Sequence, residues 1–379
     1  MIIGGAQENT LFNCLDLKRL HGDDVMLVTG PSLGPEGDLL TQGRAGDLSI
    51  HEIASLRRNI HPWHDHFAHR ALRRVIRDFQ PDVVHTHSAK GGLLGRMAAY
   101  QECVPAIVHS IHGAPFHPYQ SAAARFFFQG CERRAARWCH RMISVADAMT
   151  DLMVDAGIAD RGKFCTIYSG MDTQPFLDAH QYRESTRATY GLHDGHVVIG
   201  KIARLFHLKG HDDLIEAASA VVAACPAVRF MLVGDGILKD ELVSKIRNRG
   251  LSDHFIFTGL VPPSDVPKLI GAMDALVHTS YREGLARALP QALIAGIPVC
   301  SYDIDGAREV VRNDETGYLV PPGDTGQLAK RLISLAGDAD SRRRMGQRGR
   351  ELFEKQFRHQ TMTREIRDLY VKLLENQVR

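Results

Sequence analysis

Short apolar runs alternate with longer amphipathic stretches along most of the chain. Apolar runs of about four to eight residues bounded by turn residues are typical of buried strands, and the amphipathic stretches have the length and spacing of helices. Because strands alternate with helices, we expect an α/β fold with parallel sheets. Strands are predicted at residues 24–29, 81–87, 106–112, 142–145, 163–168, 197–204, 229–236, 255–259, 275–280, 299–302 and 316–320.

The chain has 379 residues, more than one hydrophobic core usually covers, so we expect two domains. A polar stretch at 178–194 separates two series of strands and helices. The predicted divisions are a first domain at 1–185, a second domain at 186–355 and a C-terminal helix at 356–379. Turn glycines near the start stand where a first strand is expected, so that strand is either reduced to residues 1–3 or absent.

Composition and charge exclude several classes of protein. The 46 basic and 44 acidic residues give a net charge of +2, whereas nucleic-acid binding needs a concentrated basic face. The seven cysteines are scattered without the spacing of a zinc site, which fits free thiols in a reducing cytosol. No apolar run reaches the ~18 residues of a membrane span, and we recognise no signal peptide. We therefore expect a cytoplasmic protein that does not bind nucleic acid.

The helix that follows the strand at 275–280 can begin only within a narrow window. Pro290 cannot lie deep inside a helix, but it is tolerated in a first turn. The helix should therefore begin between Ala286 and Ala288 and end before Gly296.

Glu283 and Gly284 then lie in the turn between this strand and this helix. The N-terminus of a helix attracts anions. A carboxylate beside it is badly placed for phosphate, so we expect Glu283 to contact a neutral or cationic group such as a sugar hydroxyl. The alternative is an acid that caps a structural helix, and this segment alone leaves that alternative open.

Three histidines lie at the ends of two neighbouring predicted strands. His85 and His87 end the strand at 81–87, and His112 ends the strand at 106–112. Ligands bind beyond the carboxyl ends of strands in open α/β sheets, so we expect these side chains to line a site. A single histidine at a strand end is more often structural.

His61 lies in a histidine-rich segment that also contains His64 and Asp65. These residue types can bind a transition metal, but a metal site needs convergent geometry, which their spacing does not ensure. Pro62 also interrupts regular structure here. We predict no metal site, and instead a loop that lines the cleft between the domains.

Arg204 and Lys209 lie just past the strand at 197–204. A fixed guanidinium and a flexible ammonium suit a diphosphate, which gains charge when it leaves. Near the start of the chain, Gly4 and Gly5 either let the backbone approach a phosphate or form a tight turn. The segment Gly234-Asp-Gly236 is not a GxGxxG fingerprint, so NAD is not expected.

The helix predicted at 122–141 is aromatic and basic. This character is compatible with a membrane surface or an anionic acceptor. We favour the simpler interpretation, in which its aromatic side packs into the core and its basic side is solvated.

Together these features resemble the family 4 retaining glycosyltransferases of GT-B fold, over essentially the whole chain. The resemblance rests on the order and spacing of residues 4–7, 85–88, 112–113 and 144–172, Arg204 with Lys209-Gly210, residues 234–236, the segment after 281, and residues 316–323.

The resemblance implies two Rossmann-like domains whose parallel sheets face each other across a cleft, with the C-terminal helix crossing back to the first domain. It implies that a nucleoside-diphosphate sugar is the donor and that a glycan, a lipid-linked molecule or a small molecule is the acceptor. Transfer would retain the anomeric configuration, without a metal or another cofactor. Polysaccharide or cell-envelope assembly at the inner face of the membrane is the setting that the resemblance favours.

The resemblance also assigns roles to individual residues. Glu283 and His112 resemble the residues that contact the donor sugar. The residues that resemble the diphosphate site are Arg204, Lys209, the backbone of Gly284, Leu285 and Ala286, and the loop at Gly4 and Gly5. The candidates on the acceptor side are His85, His87 and His61.

One position departs from the family pattern. The family has a second glutamate on the nucleotide ribose, eight residues after the first, and this position is Gln291 here. A hydrogen bond to a charged group contributes ~1.5–3 kcal/mol and a neutral one ~0.5–1.5 kcal/mol, so the change lowers donor affinity by roughly 1 kcal/mol without abolishing binding. Two alternatives stay open: a catalytically silent nucleotide-sugar-binding protein, and a sugar-nucleotide epimerase with the same two domains.

Overall fold

The computed structural model describes residues 4–32, 39–40 and 46–376. The chain divides into two units, one formed by Met1–Met171 with Gln356–Arg379 and the other by Asp172–Lys355. Each unit contains a parallel sheet flanked by helices, so the predicted α/β class with two Rossmann-like domains is confirmed. The first strand predicted at residues 1–3 lies outside the described residues.

The first unit contains two parallel sheets. Its elements before the second unit are α1 (Gly5–His21), β1 (Met26–Thr29), β2 (Ser49–Glu52), α2 (Pro62–Phe79), β3 (Val83–His87), α3 (Ala89–Gln101), β4 (Ala106–Ile111), α4 (Ala122–Ala136), β5 (Arg141–Ser144), α5 (Asp147–Asp155) and β6 (Phe164–Thr166). Strand β1 pairs with β2, and the other strands form a sheet in the order β3-β4-β5-β6.

Helix α1 begins at Gly5, directly after the first described residue. The Glu8 N–H donates to the Gly4 carbonyl oxygen over 2.9 Å, which is the first turn of a helix. Gly4 therefore caps α1 and Gly5 begins it, so of the two alternatives the tight turn is not observed, and the approach to a phosphate stays a prediction. Strand β2 was not predicted from the sequence. All four of its residues are exposed, so the segment lacks the alternation of apolar and polar positions that marks a strand with one buried face.

Helix α4 differs from its prediction in two ways. It ends at Ala136, and Arg141 begins β5 instead of ending the helix. Phe126 and Phe127 are 70% and 55% exposed, so the interpretation that the aromatic side packs into the core is wrong for these two rings. The buried positions of α4 are Glu132, Ala135 and Ala136, all near its C-terminus.

The second unit is built around one six-stranded parallel sheet. Its elements are α6 (Gln174–Leu177), α7 (Arg183–Thr189), β7 (Val197–Ile202), α8 (His211–Ala224), β8 (Val228–Val233), α9 (Lys239–Asn248), β9 (Phe255–Gly259), α10 (Val266–Ala272), β10 (Ala275–His278), α11 (Ala288–Ile294), β11 (Val299–Tyr302), α12 (Ala307–Val310), β12 (Gly317–Val320), α13 (Thr325–Gly337) and α14 (Ala339–Phe353). The strand order is β12-β11-β10-β7-β8-β9. Every residue of the central strand β10 is buried, so functional groups of this strand emerge only at its ends.

The segment 172–185 belongs to the second unit, although the sequence placed it in the first domain. Arg183 explains the difference. Its guanidinium donates to a carboxylate oxygen of Asp274 over 2.7 Å and to the Met273 carbonyl oxygen over 3.0 Å. These bonds attach the segment to the residues just before β10.

The last helix, α15 (His359–Glu375), belongs to the first unit. Met362, Ile366 and Tyr370 pack in a cluster with residues of α1, β4 and β5. Where the chain returns from the second unit it pairs with the segment by which it left: the Met171 N–H donates to the Phe357 carbonyl oxygen over 2.8 Å.

Candidate functional site

Several charged side chains lie at the carboxyl edge of the second unit's sheet. Because the strands are parallel, the residues that follow β7, β10 and β11 emerge at the same edge. Lys209 lies on the loop after β7, Glu283 on the loop after β10, and Asp305 on the loop after β11. These three loops therefore form the candidate site of the second unit.

Glu283 and Lys209 form an ion pair at this edge. Lys209 Nζ donates to Glu283 Oε1, and about a fifth of each side chain remains exposed. Burial acts to raise the pKa of the Glu283 carboxyl, but the polar groups around it, with the Lys209 ammonium foremost, together hold this pKa below its ordinary value. Glu283 is thus a charged, weakly basic carboxylate that a ligand can reach.

The backbone beside Glu283 is fixed by the loop after β11. The Glu283 N–H donates to Asp305 Oδ2 over 2.6 Å, and the Gly306 N–H donates to the Gly284 carbonyl oxygen over 3.1 Å. Asp305 has a φ of 43°, a left-handed conformation that an aspartate tolerates better than most residues. The turn at Glu283 is therefore held in place independently of its side chain.

Helix α11 begins at Ala288, inside the predicted window, and Pro290 lies in its first turn. Gly284 precedes the helix in the turn, as predicted, and Leu285 and Ala286 also precede it. Gln291 follows Pro290 on the helix and is partly buried. The predicted local structure of the segment is confirmed, whereas the roles of its residues stay predictions.

Arg204 lies on the same β7–α8 loop as Lys209. Its guanidinium carbon is 4.9 Å from the centroid of the Phe206 ring, and its carbonyl oxygen accepts a hydrogen bond from His211 Nε2 over 3.0 Å. Gly210 precedes α8 with a φ of 60°, and a Cβ there would lie 1.9 Å from the Thr279 carbonyl oxygen. Only glycine lets this loop approach the end of β10 so closely.

Two buried ionisable side chains lie beneath the ion pair, and sequence reasoning missed both. Lys201 on β7 donates from Nζ to Thr279 Oγ1 over 2.6 Å. Burial, followed by the nearby Lys209, lowers the pKa of Lys201 to about 7. His278 ends β10, and its Nε2 lies 3.7 Å from Glu283 Oε1. A lysine and a histidine within otherwise apolar strands are the signal that could have found them.

In the first unit, the structure brings His85, His87 and His112 together. His87 Nδ1 lies 3.0 Å from His112 Nε2, and the rings of His85 and His87 stack with centroids 4.3 Å apart. His85 also pairs with Tyr370 on α15 and with Ser110 on β4. Burial lowers the pKa of His85 to about 3 and that of His87 well below its ordinary value, so both are neutral at neutral pH. The three histidines lie together as expected, whereas their role in a site stays a prediction; Tyr370 was missed because it is remote in sequence.

The loop predicted for the histidine-rich segment is wrong, because helix α2 begins at Pro62 and includes His64 and Asp65, and His61 precedes this helix. His61 caps α2, where its Nδ1 accepts from the His64 N–H over 3.4 Å and its own N–H donates to Asp65 Oδ2 over 3.1 Å. Its contacts explain a structural role at the start of a helix. Across residues 4–32, 39–40 and 46–376, no three histidine, cysteine or acidic side chains converge in a way that could hold a metal ion.

The surface of α4 combines exposed Phe126 and Phe127 with the arginines of the same helix. In the part of the chain that the structure describes, no helix is both long and apolar enough to cross a membrane.

Comparisons with known proteins connect both units to one family. Residues 3–175 match the model described as Glycosyltransferase Family 4, and residues 183–352 match the model described as Glycosyl transferases group 1. The chain is 26% identical to UDP-Gal:alpha-D-GlcNAc-diphosphoundecaprenol alpha-1,3-galactosyltransferase of Escherichia coli over 327 residues, which cover 86% of this chain and 84% of that protein. It is 27% identical to the Putative glycosyltransferase EpsD of Bacillus subtilis, with 80% and 79% covered.

Solved structures share the fold over nearly the whole chain. A glycosyltransferase from Rickettsia africae superposes with a TM-score of 0.81 at 20% identity and covers 99% of this chain and 97% of its own. Anabaena Alr3699/HepE in complex with UDP superposes with a TM-score of 0.79 at 21% identity, covering 97% and 96%.

Proposed function

Because this chain belongs to the family 4 glycosyltransferases, we propose that it transfers a sugar from a nucleoside-diphosphate donor to an acceptor hydroxyl with retention of the anomeric configuration. The observation that carries the proposal is the pairing of Lys209 with Glu283 at the carboxyl edge of the second unit's sheet. An ammonium and a carboxylate side by side suit the two parts of a nucleotide sugar, since one binds phosphate and the other accepts hydrogen bonds from sugar hydroxyls.

Electrostatic stabilisation is then the protein's main contribution. Negative charge grows on the diphosphate as its bond to the sugar breaks, and Lys209 and Arg204 supply positive charge on one loop. The backbone turn from Gly284 to Ala286 borders the same position, and Gln291 is the candidate for the ribose. Because these cations hold the leaving group, the reaction requires no metal ion.

Retention follows if the acceptor attacks from the face on which the diphosphate leaves. The acceptor hydroxyl forms the new bond to the anomeric carbon, the bond to the diphosphate breaks, and the leaving phosphate takes the acceptor's proton. The lowered pKa of Glu283 supports this assignment, because a weakly basic carboxylate is a poor general base. Glu283 and His112 then contact the donor sugar.

The acceptor is a glycan or a lipid-linked sugar bound by the first unit, near His85 and His87. The name of the Escherichia coli relative contains a sugar linked to diphosphoundecaprenol, which supports a lipid-linked acceptor here. Exposed Phe126 and Phe127 beside the arginines of α4 would then hold the protein at the inner face of the membrane, in cell-envelope or polysaccharide assembly. Replacing both rings by serine should weaken co-sedimentation with anionic lipid vesicles, whereas replacing exposed Tyr100 should not.

The test begins with the donor. Thermal unfolding is measured with UDP, GDP, ADP and CMP and with their sugars, since a bound ligand raises the melting temperature by mass action. Transfer is then assayed with the best donor in wild type and in Glu283→Gln, which should lower turnover by about 100-fold or more. Glu241→Gln, on the exposed face of α9, is the matched control.

Three results would contradict the proposal. Wild-type turnover by Glu283→Gln would show that Glu283 does not have the role assigned to it. Tight binding of a donor without transfer to any acceptor would indicate a silent binding protein. Conversion of the donor sugar without an acceptor, followed by NMR, would indicate an epimerase.

A further inference from the structure

His278 is a buried imidazole with unused hydrogen-bonding capacity. Its residue is 2% exposed, and among the described residues neither ring nitrogen has a hydrogen-bond partner. Leaving a buried polar group unpaired destabilises a fold, and such groups are uncommon. A leucine of similar size would pack here without this penalty, so the histidine needs another explanation.

The Glu283 carboxylate lies just outside its reach. His278 Nε2 is 3.7 Å from Glu283 Oε1, whereas a hydrogen bond requires roughly 2.7–3.2 Å. The same oxygen accepts the hydrogen bond from Lys209 Nζ. One carboxylate oxygen therefore has two candidate donors, of which only the lysine is engaged.

His278 can donate without adding charge. Burial lowers the pKa of His278 to about 3; Glu283 acts to raise it, and the ammonium groups of Lys201 and Lys209 act to lower it. The imidazole is thus neutral at neutral pH, with one N–H group. In the tautomer that carries the proton on Nε2, this N–H faces Glu283.

Lys209 has a competing partner under the proposed function, on which this inference rests. A diphosphate carries more negative charge than one carboxylate, so it draws the lysine ammonium away from Glu283. Glu283 then has to hold its orientation toward the donor sugar without the lysine.

We propose that His278 positions Glu283 in the donor complex by donating from Nε2 to Oε1 when Lys209 moves to the diphosphate. A shift of about 0.5–1 Å closes the gap to hydrogen-bond distance. His278 is a positioning residue, since it acts on the carboxylate and not on the substrate. Its unpaired state in the structure is then one of two arrangements of the same three side chains.

The test separates positioning from folding. His278→Leu is compared with wild type for turnover, for the Kd of UDP and for melting temperature, with the UDP-sugar that stabilises wild type most as donor. We expect kcat to fall by about 10- to 100-fold, the range of one hydrogen bond to a charged group. The Kd of UDP should stay within about twofold, because UDP lacks the sugar that Glu283 binds. The melting temperature should be unchanged or higher.

His278→Gln supplies the rescue, because its side-chain amide N–H lies close to the position of Nε2. It should recover most of the lost kcat. Thr316→Val is the control for a lost buried hydrogen bond, because Thr316 Oγ1 donates to the Val310 carbonyl oxygen over 3.1 Å. Thr316 precedes β12, so it lies at the amino edge of the sheet, opposite the carboxyl edge that carries the site. It should lower the melting temperature and leave kcat unchanged.

Two outcomes would overturn the inference alone. One is a His278→Leu enzyme with kcat within about twofold of wild type, measured where Glu283→Gln is inactive. The other is a fall in the apparent kcat of His278→Leu that is no larger than the fall in the fraction of folded protein. If Glu283→Gln retains wild-type turnover, the proposed function fails and the inference fails with it, so the two failures are distinguishable.

Discussion

The hydroxyl group of Tyr370 lies 2.5 Å from Nδ1 of His85, although the two residues are 285 positions apart. The second ring nitrogen of His85 lies 2.8 Å from Ser110 Oγ. Both nitrogens are therefore satisfied and the ring is fixed. The last helix thus determines the orientation of a histidine at the carboxyl edge of the first unit's sheet.

Removing the Tyr370 hydroxyl should destabilise the protein. Tyr370→Phe leaves His85 Nδ1 unpaired in a buried site, which costs about 1–3 kcal/mol. We expect a lower melting temperature, and a KM for the acceptor that rises more than the KM for the donor. Tyr100→Phe, at an exposed position, is the control. An unchanged melting temperature would show that the Tyr370–His85 bond contributes nothing.

Restoring the family's glutamate at position 291 should be tolerated. Gln291→Glu replaces a neutral acceptor for the ribose hydroxyls with a charged one, a gain of roughly 1 kcal/mol. We expect the Kd of the donor nucleotide, measured by calorimetry, to fall by up to about tenfold, with kcat little changed. A weaker affinity would place the ribose elsewhere.

Lys201 should make stability depend on pH. Its pKa is lowered to about 7 by burial and then by Lys209, against about 10.4 in an unfolded chain. Between these values the unfolded state binds more protons than the native state, so a rise in pH stabilises wild type. Below about pH 7 both states are protonated and the penalty of a buried charge is complete.

Urea unfolding of wild type and Lys201→Met at several pH values tests this. Relative to the methionine variant, wild type should gain on the order of a few kcal/mol as the pH rises from about 7 toward 10. Lys330→Met, at an exposed position on α13, should give a pH-independent difference. A constant difference for Lys201→Met would mean that its pKa is ordinary.

Chelation should leave transfer intact. Arg204 and Lys209 supply the positive charge that a divalent ion would otherwise bring to the diphosphate. We expect the same kcat before and after dialysis against EDTA, and no gain from added Mn²⁺ or Mg²⁺. Activity that is lost in EDTA and restored by either ion would contradict metal independence.

The sequence predicts best where one local constraint decides the structure. Pro290 limits the start of α11 to a few positions, and turns bound β3 and β4, so β3 ends at His87 as expected and β4 ends one residue before His112. Local patterns fail where tertiary contacts decide. Strand β2 is exposed throughout, and the assignment of 172–185 depends on Arg183 reaching Asp274.

The candidate site shows the same contrast. Glu283 and Lys209 were predicted from turn chemistry and from the family pattern, and they are in contact. His278 and Lys201 lie within strands that read as plain core, where a single polar residue does not disturb an apolar pattern. The single polar residue in each strand is visible in the sequence, but what it does follows from distances to groups on neighbouring strands and loops.

The pairing of Met171 with Phe357 makes the second unit an insertion within the first. The two ends of the insertion leave and re-enter the first unit side by side, so a short linker could join them. An excised first unit should therefore keep α15, fused behind residue 171, and a fragment that simply stops at 171 would lose Tyr370 and the core residues beside it. To separate these units, the chain has to be cut at two positions, and the two ends of the first unit have to be joined.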